Sequence, residues 1–217
     1  MRMNKIPSFT DFECTAEHRQ ALVAYRKSFE LRVLSGLTLI ISPNQNARQQ
    51  LLYAVVQDWV NQGITDEIDQ LRVAIVEKRT RYIRPDHSSW MQVEYGNNTD
   101  SIASKLRSIV RMDMDLIALD AYPHGEIAEL IQQVYCTGAR IIAAVQAETI
   151  LAGLAPHLAT PPDVATDLSY GLDLVLFAPA AGSTLIPLVL KPDGLLKAIR
   201  ERQLIDGHLL QQLSSIQ

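Results

Sequence analysis

The polar residues Ser42, Pro43, Asn44, Gln45, Asn46, Ala47, Arg48 and Gln49 fill the turn between an apolar run at 37–41 and a stretch of helical period. A strand-to-helix turn is where a protein can hold phosphate, because free N–H groups and partial positive charge gather at the helix N-terminus. The best loop for this has the spacing G-x-x-x-x-G-K-[ST]. Its glycines let backbone N–H groups wrap the phosphates, its lysine meets the β and γ phosphates, and its hydroxyl holds magnesium. The turn at 42–49 keeps that frame and lacks its chemistry. It contains no glycine, so conformations at positive φ are costly. Arg48 is flatter and bulkier than an ammonium group, and Gln49 offers an amide where a metal needs a hydroxyl.

Two further carboxylates follow strand-like runs, Glu77 and Asp120. Asp120 and His124 are close in sequence, but ligand-type residues this close in a loop are ordinary turn chemistry, so no metal site is expected. The stretch after Glu77 carries Lys78, Arg79, Arg81 and Arg84 around Tyr82. Such a cluster suits pairing with carboxylates on another protein. A basic and aromatic loop can also grip nucleic acid, but the net charge of -4 speaks against that partner. Serine, cysteine and histidine show no nucleophile elbow or triad-like spacing. Cys14 and Cys136 stand singly, without metal-type spacing.

These residues need a scaffold, and the composition provides one. The chain has 217 residues, of which 47% are hydrophobic and 20% charged, enough for one α/β domain with a modest appendage. No segment reads as a signal peptide or a membrane span. Runs rich in Val, Ile and Leu predict strands at 37–41, 72–76, 116–120, 141–145, 172–177 and 185–190. Most lack alternation, as strands covered on both faces do. Three- and four-residue apolar spacing predicts helices at 15–30, 47–61, 100–111, 125–135 and 148–154. A connector is expected at 160–167, then a hairpin, then a helix near Pro192.

With the turn in register, the chain resembles the ATPase core of type IV pilus and type II secretion motors, the PilT/GspE family. Gly36, Leu37, Leu39, Pro43, Leu52, Tyr53 and Ala54 echo the family's G-L-x-L-x-x-G-P-T-G-S-G-K-[ST]-T-x-L-Y-A. Gln92, Glu94, Gly96, Thr99 and Ser101 fit its Q-x-E-x-G-x-x-T-x-S. Leu106, Arg107, Arg111 and Asp115 fit L-R-x-x-L-R-x-x-P-D, with Met114 at the proline. Glu126, Thr137 and Gly138 fall where the family has its E-T and T-G-H boxes. The resemblance covers roughly residues 10–160, because several spaced motifs agree in order.

The same register alters every catalytic box. The family's T-I-E-D-P-[VI]-E becomes Ala74 through Thr80, leaving Glu77 beside Lys78 and Arg79. Its G-E-[IM]-R-D becomes Asp120, Ala121, Tyr122, Pro123 and His124, so the water-polarising glutamate is Ala121. Of the two histidines of its T-G-H-L-x-x-[ST]-x-H box, the first is Ala139, and Gln146 lies one place past the second. Phosphoryl transfer is mostly positioning and electrostatic stabilisation, and losing one such group commonly costs several kcal/mol of transition-state stabilisation.

The resemblance therefore implies a RecA-like α/β core with a mainly parallel sheet flanked by helices, and a small C-terminal α/β appendage. The expected division is a helical leader at 1–35, a pseudo-ATPase core at 36–160 and the appendage at 161–217. The family's N-terminal domain, which completes its ring interface, is not expected within this length. The implied function is non-catalytic, with Ser42 through Gln49, Glu77, Asp120, Ala121 and Gln146 as a degenerate nucleotide site that needs neither ATP nor magnesium. The expected partner is a pilus or secretion motor ATPase or an inner-membrane platform component, with self-association the further option. The protein is expected to be cytoplasmic, meeting the inner membrane through that partner. A nucleotide sensor or residual ATPase is the alternative.

Overall fold

The computed structural model describes residues 7, 9–27, 36–63, 71–80, 82, 90–96, 100–120, 126–150, 152–154, 171–179 and 184–189. Its strands are β1 (Gly36–Ile41), β2 (Val73–Glu77), β3 (Trp90–Glu94), β4 (Leu116–Leu119), β5 (Arg140–Val145), β6 (Leu172–Phe177) and β7 (Ile186–Val189). The main helices are α1 (Ala16–Lys27), α2 (Gln45–Gly63), α3 (Asp100–Val110) and α4 (Glu126–Cys136).

All seven strands form one sheet in the order β3-β2-β4-β5-β1-β6-β7. The first six of that order run parallel, and β7 closes the edge antiparallel to β6. The strands expected in a C-terminal appendage thus extend the core sheet, because β6 pairs directly with β1. Strand β3 was not anticipated. It lies at the edge and is only half-buried, so its apolar signal is weak and alternating, Met91 and Val93 against Gln92 and Glu94.

Side chains of the central strands sort to opposite faces with period two. Leu37, Leu39 and Ile41 join Ala74, Val76, Ile117, Leu119, Ile141 and Ala143 under α3 and α4, on Leu106, Ile109, Ile131 and Val134. Ile40, Val73, Ile75, Ala118 and Ile142 face α2, on Leu51, Leu52, Val55, Val56 and Trp59, while α1 adds Leu22. Burial on both faces explains why these strands read as continuous apolar runs.

The helix expected at 47–61 begins two residues earlier, and the reason lies in the turn itself (below). The expected helix at 15–30 is described only to Lys27. The connector at 160–167 and the helix near Pro192 lie outside the described residues, as do residues 28–35. No described helix is long and apolar enough to cross a membrane.

Candidate functional site

In a parallel sheet, ligands bind outside the carboxyl ends of the strands, where the chain order switches sides. Ser42, Glu77 and Asp120 stand at those ends, on β1, β2 and β4. The backbone seats the first and last of them in the sheet's own hydrogen-bond pattern. The Ser42 N–H donates to the Val145 carbonyl (3.1 Å) and the Asp120 N–H to the Val76 carbonyl (2.9 Å).

The turn is a closed cap. The Asn44 N–H donates to the Ser42 hydroxyl (3.1 Å), and the Ala47 N–H donates to Asn44 Oδ1 (3.1 Å). The Arg48 N–H donates to the Asn44 carbonyl (3.0 Å). Asn44 is therefore the N-cap of α2, a favoured residue there, and its capping starts the helix at Gln45. In a phosphate-wrapping loop such N–H groups face the anion; here three of them are consumed within residues 42–48. Among the described residues, Asp113 is the one non-glycine residue at positive φ, so this turn closes without the conformation that glycine would supply.

Arg48 folds back into the turn. Its guanidinium donates to the Ser42 carbonyl (2.9 Å), and the residue is only 7% exposed. Burial lowers its pKa, while Asp120 and Tyr95 pull it upward. Gln49 is also buried; its amide Nε2 donates to Asp120 Oδ2 (2.9 Å), and its Oε1 has no hydrogen-bond partner among the described residues. The arginine and glutamine at the two positions that would meet phosphate and metal thus serve the protein's own carbonyl and carboxylate.

Glu77 is fully buried. Its Oε1 accepts from the Tyr53 hydroxyl (2.5 Å), and its Oε2 has no hydrogen-bond partner among the described residues. Burial pushes its carboxyl up to about 7; Tyr53 and Thr80 oppose the rise, and Asp120 and Glu94 add to it. Tyr53 is itself held as the phenol by burial and by Glu77. Gln92 Nε2 donates both to the Tyr53 hydroxyl (2.8 Å) and to the Tyr82 carbonyl (2.6 Å). Tyr95 donates to the Asp120 carbonyl (3.3 Å), and burial raises its pKa to about 12.

The basic stretch divides. Lys78 and Arg79 are exposed, as a docking surface requires. Tyr82 is buried, with its ring tilted against that of Tyr53 at 4.8 Å between centroids. It is a core residue, which removes it from the partner-binding set expected from the sequence, because an apolar ring next to Tyr53 gains more from burial than from solvent. Arg81, Arg84 and Ala121 lie outside the described residues. Gln146 is exposed just past β5, and no described contact joins it to the turn. Motif reading placed Tyr53, Thr80 and Gln92 in family boxes but did not name them as site residues. Their signal was a polar tip recurring on otherwise apolar elements.

No protein-family model matches the chain, and no curated protein does. Solved structures match it well in shape. The X-ray structure of the Legionella pneumophila ATPase DotB superposes with a TM-score of 0.65 at 11% identity, over 99% of this chain and 62% of that one. The pilus retraction motor PilT with bound ADP gives 0.68 at 19% identity, over 99% and 60%. The VirB11 ATPase of the Brucella suis type IV secretion system, in complex with sulphate, gives 0.56 at 18% identity, over 85% and 56%. The chain spans less than two thirds of each of these proteins. At such identities the likeness establishes the fold, that of the pilus and secretion motor ATPases.

Proposed function

We propose that this protein is a non-catalytic pseudo-ATPase that works by binding a protein partner, a pilus or secretion motor ATPase or an inner-membrane platform component. The observation that carries this reading is the closed turn. Arg48 is hydrogen-bonded to Ser42, Gln49 to Asp120, and the Asn44 cap occupies N–H groups that a phosphate would need. Opening the turn means breaking several hydrogen bonds, one of them buried, each worth about 1 kcal/mol net and more where a charge is left unpaired. The core that would position the chemistry is meanwhile intact. A bound but non-hydrolysing subunit would act on a motor by favouring one state of its neighbours. No cofactor is needed for that role. Binding from the cytoplasmic side would place the protein at the inner membrane only through its partner, and a second copy of the chain is the other partner class. Lys78 and Arg79 are the described residues best placed to meet acidic side chains on that partner.

Calorimetric titration with magnesium ATP, run beside a sensitive phosphate-release assay, tests the reading. We expect no binding at millimolar nucleotide and no release. Turnover that disappears in Asp120→Ala would overturn it. The alternative, a nucleotide sensor or residual ATPase, is favoured by one observation: the carboxylates of Glu77 and Asp120 still stand at the carboxyl ends of β2 and β4. Binding without release would select the sensor. Docking is tested apart from nucleotide, by reversing Lys78 and Arg79 to glutamate and measuring retention on the host's motor ATPases.

A further inference from the structure

Two hydrogen-bonded ties hold Thr80 and Tyr82 after β2, one at the surface and one ending in a buried network. At the first tie, the Thr80 N–H donates to Glu94 Oε1 (2.7 Å). At the second, Gln92 grips the Tyr82 carbonyl while the Tyr82 ring lies on Tyr53. Gln92 also donates to the Tyr53 hydroxyl, and that hydroxyl donates to Glu77. Glu77 sits at the root of the segment, and the exposed Lys78 and Arg79 lie between it and Thr80. The carboxyl of Glu77 is thus linked, through one tyrosine and one glutamine, to the backbone of the residue five positions further on.

We infer that Glu77 is a proton-operated latch: with its proton it holds Thr80 and Tyr82 against the sheet, and without it they loosen. The geometry supplies the reason. A buried carboxyl with one oxygen lacking a partner is tolerated when that oxygen carries hydrogen, and is strongly disfavoured when it carries charge. The surrounding groups relieve that charge only in part. From α2 come the Tyr53 hydroxyl, which donates, and Gln49 and Arg48, which are turned to Asp120 and Ser42. From the end of β4 comes Asp120 and from β3 comes Glu94, both repelling a second negative charge. Tyr95, after β3, faces Asp120. Past β2, Thr80 offers a hydroxyl, and the cations Lys78 and Arg79 are exposed to solvent. The raised pKa of Glu77 follows from this setting and places the change near neutral pH. Loosening of the residues packed over Glu77 is the way such a charge reaches water. Where Lys78 and Arg79 dock on a partner, the latch tunes docking with pH. That consequence rests on the function proposed above; the latch itself does not.

Carbon NMR of the Glu77 carboxyl in the wild-type protein, with exchange rates of the Thr80 backbone amide and the Gln92 side-chain amide, tests the inference without any partner. We expect the carboxyl to titrate with a midpoint near neutrality. Across that midpoint, exchange corrected for its intrinsic pH dependence should rise about tenfold at both amides. Glu77→Gln, which stays neutral and still accepts from Tyr53, should exchange slowly and evenly across the range. A carboxyl titrating in the ordinary glutamate range would sink the inference, as would exchange that ignores the midpoint. If Glu77→Gln fails to fold, the wild-type titration still decides. Failure of the charge-reversed protein to lose its partner would remove the docking role and leave the latch standing.

Discussion

The two ends of the sheet bury polar groups in opposite ways. At the amino end, the fully buried Arg140 donates through one nitrogen to both oxygens of Asp173 (2.8 Å each) and to the Thr38 hydroxyl (3.2 Å). Its guanidinium also lies 4.0 Å from the centroid of the Trp59 ring. Gly36 leaves the room: a Cβ there would stand 2.4 Å from Asp173 Oδ2 and 2.5 Å from an Arg140 nitrogen. At the carboxyl end, buried Glu77 and Gln49 each keep an oxygen without a partner among the described residues, and Asp120 adds negative charge near Glu77. One end centres on an ion pair that ties β1, β5 and β6 together through one arginine nitrogen, with Nε and Nη1 of Arg140 outside its hydrogen bonds. The other is a set of acceptors left short of donors. A buried pair of opposite charges serves packing and register, whereas unmatched buried acceptors mark a place where the chain does more than pack.

The largest expected effect strikes the matched end. Arg140→Leu leaves Asp173 without its cation, and urea unfolding should show a loss of about 3–5 kcal/mol. Combining it with Asp173→Leu should recover a substantial part, since the penalty is that of a lone charge. A double variant no better than the single would break the contrast between the ends.

Next comes the unmatched end. The pKa of Glu77 is raised from 4.5 to about 7 on folding, so between those values the folded protein holds a proton that the unfolded chain has released. Stability from this group must fall as pH rises across that window and level off above it, by roughly 3 kcal/mol in all. Chemical denaturation at a series of pH values should show this slope in wild type and its absence in Glu77→Gln, which should be the more stable of the two at neutral pH and above.

The smallest effect concerns the turn. Asn44→Ala removes the side-chain acceptor for the Ala47 N–H and should cost about 1 kcal/mol by thermal melting, as N-cap losses do. A much larger loss would mean that the turn is a keystone of the fold.

Much of this was legible in the chain. The central strands announced themselves because both of their faces are covered, so every position is apolar. Edge strand β3 did not, because a half-buried edge needs only alternate apolar residues. The turn at 42–49 was readable as a frame without phosphate chemistry, since the absent glycines and lysine are matters of residue type. That Asn44 would cap the helix was latent in its type, but it needed the register of α2 to be seen. Tyr82 was grouped with the docking stretch, because a local charge run says nothing of which ring will lie against Tyr53.

By itself, then, the sequence determined the α/β layering and the loss of the phosphate loop's chemistry, because both depend on which residue types stand at which local spacing. Only the tertiary structure decided that Arg48 turns inward to Ser42, that Arg140 and Asp173 meet across β5, β1 and β6, and that Glu77, Tyr53, Gln92 and Tyr82 share one network. Those contacts join residues from 6 to 39 positions apart, and it is strand order and burial that bring such partners together.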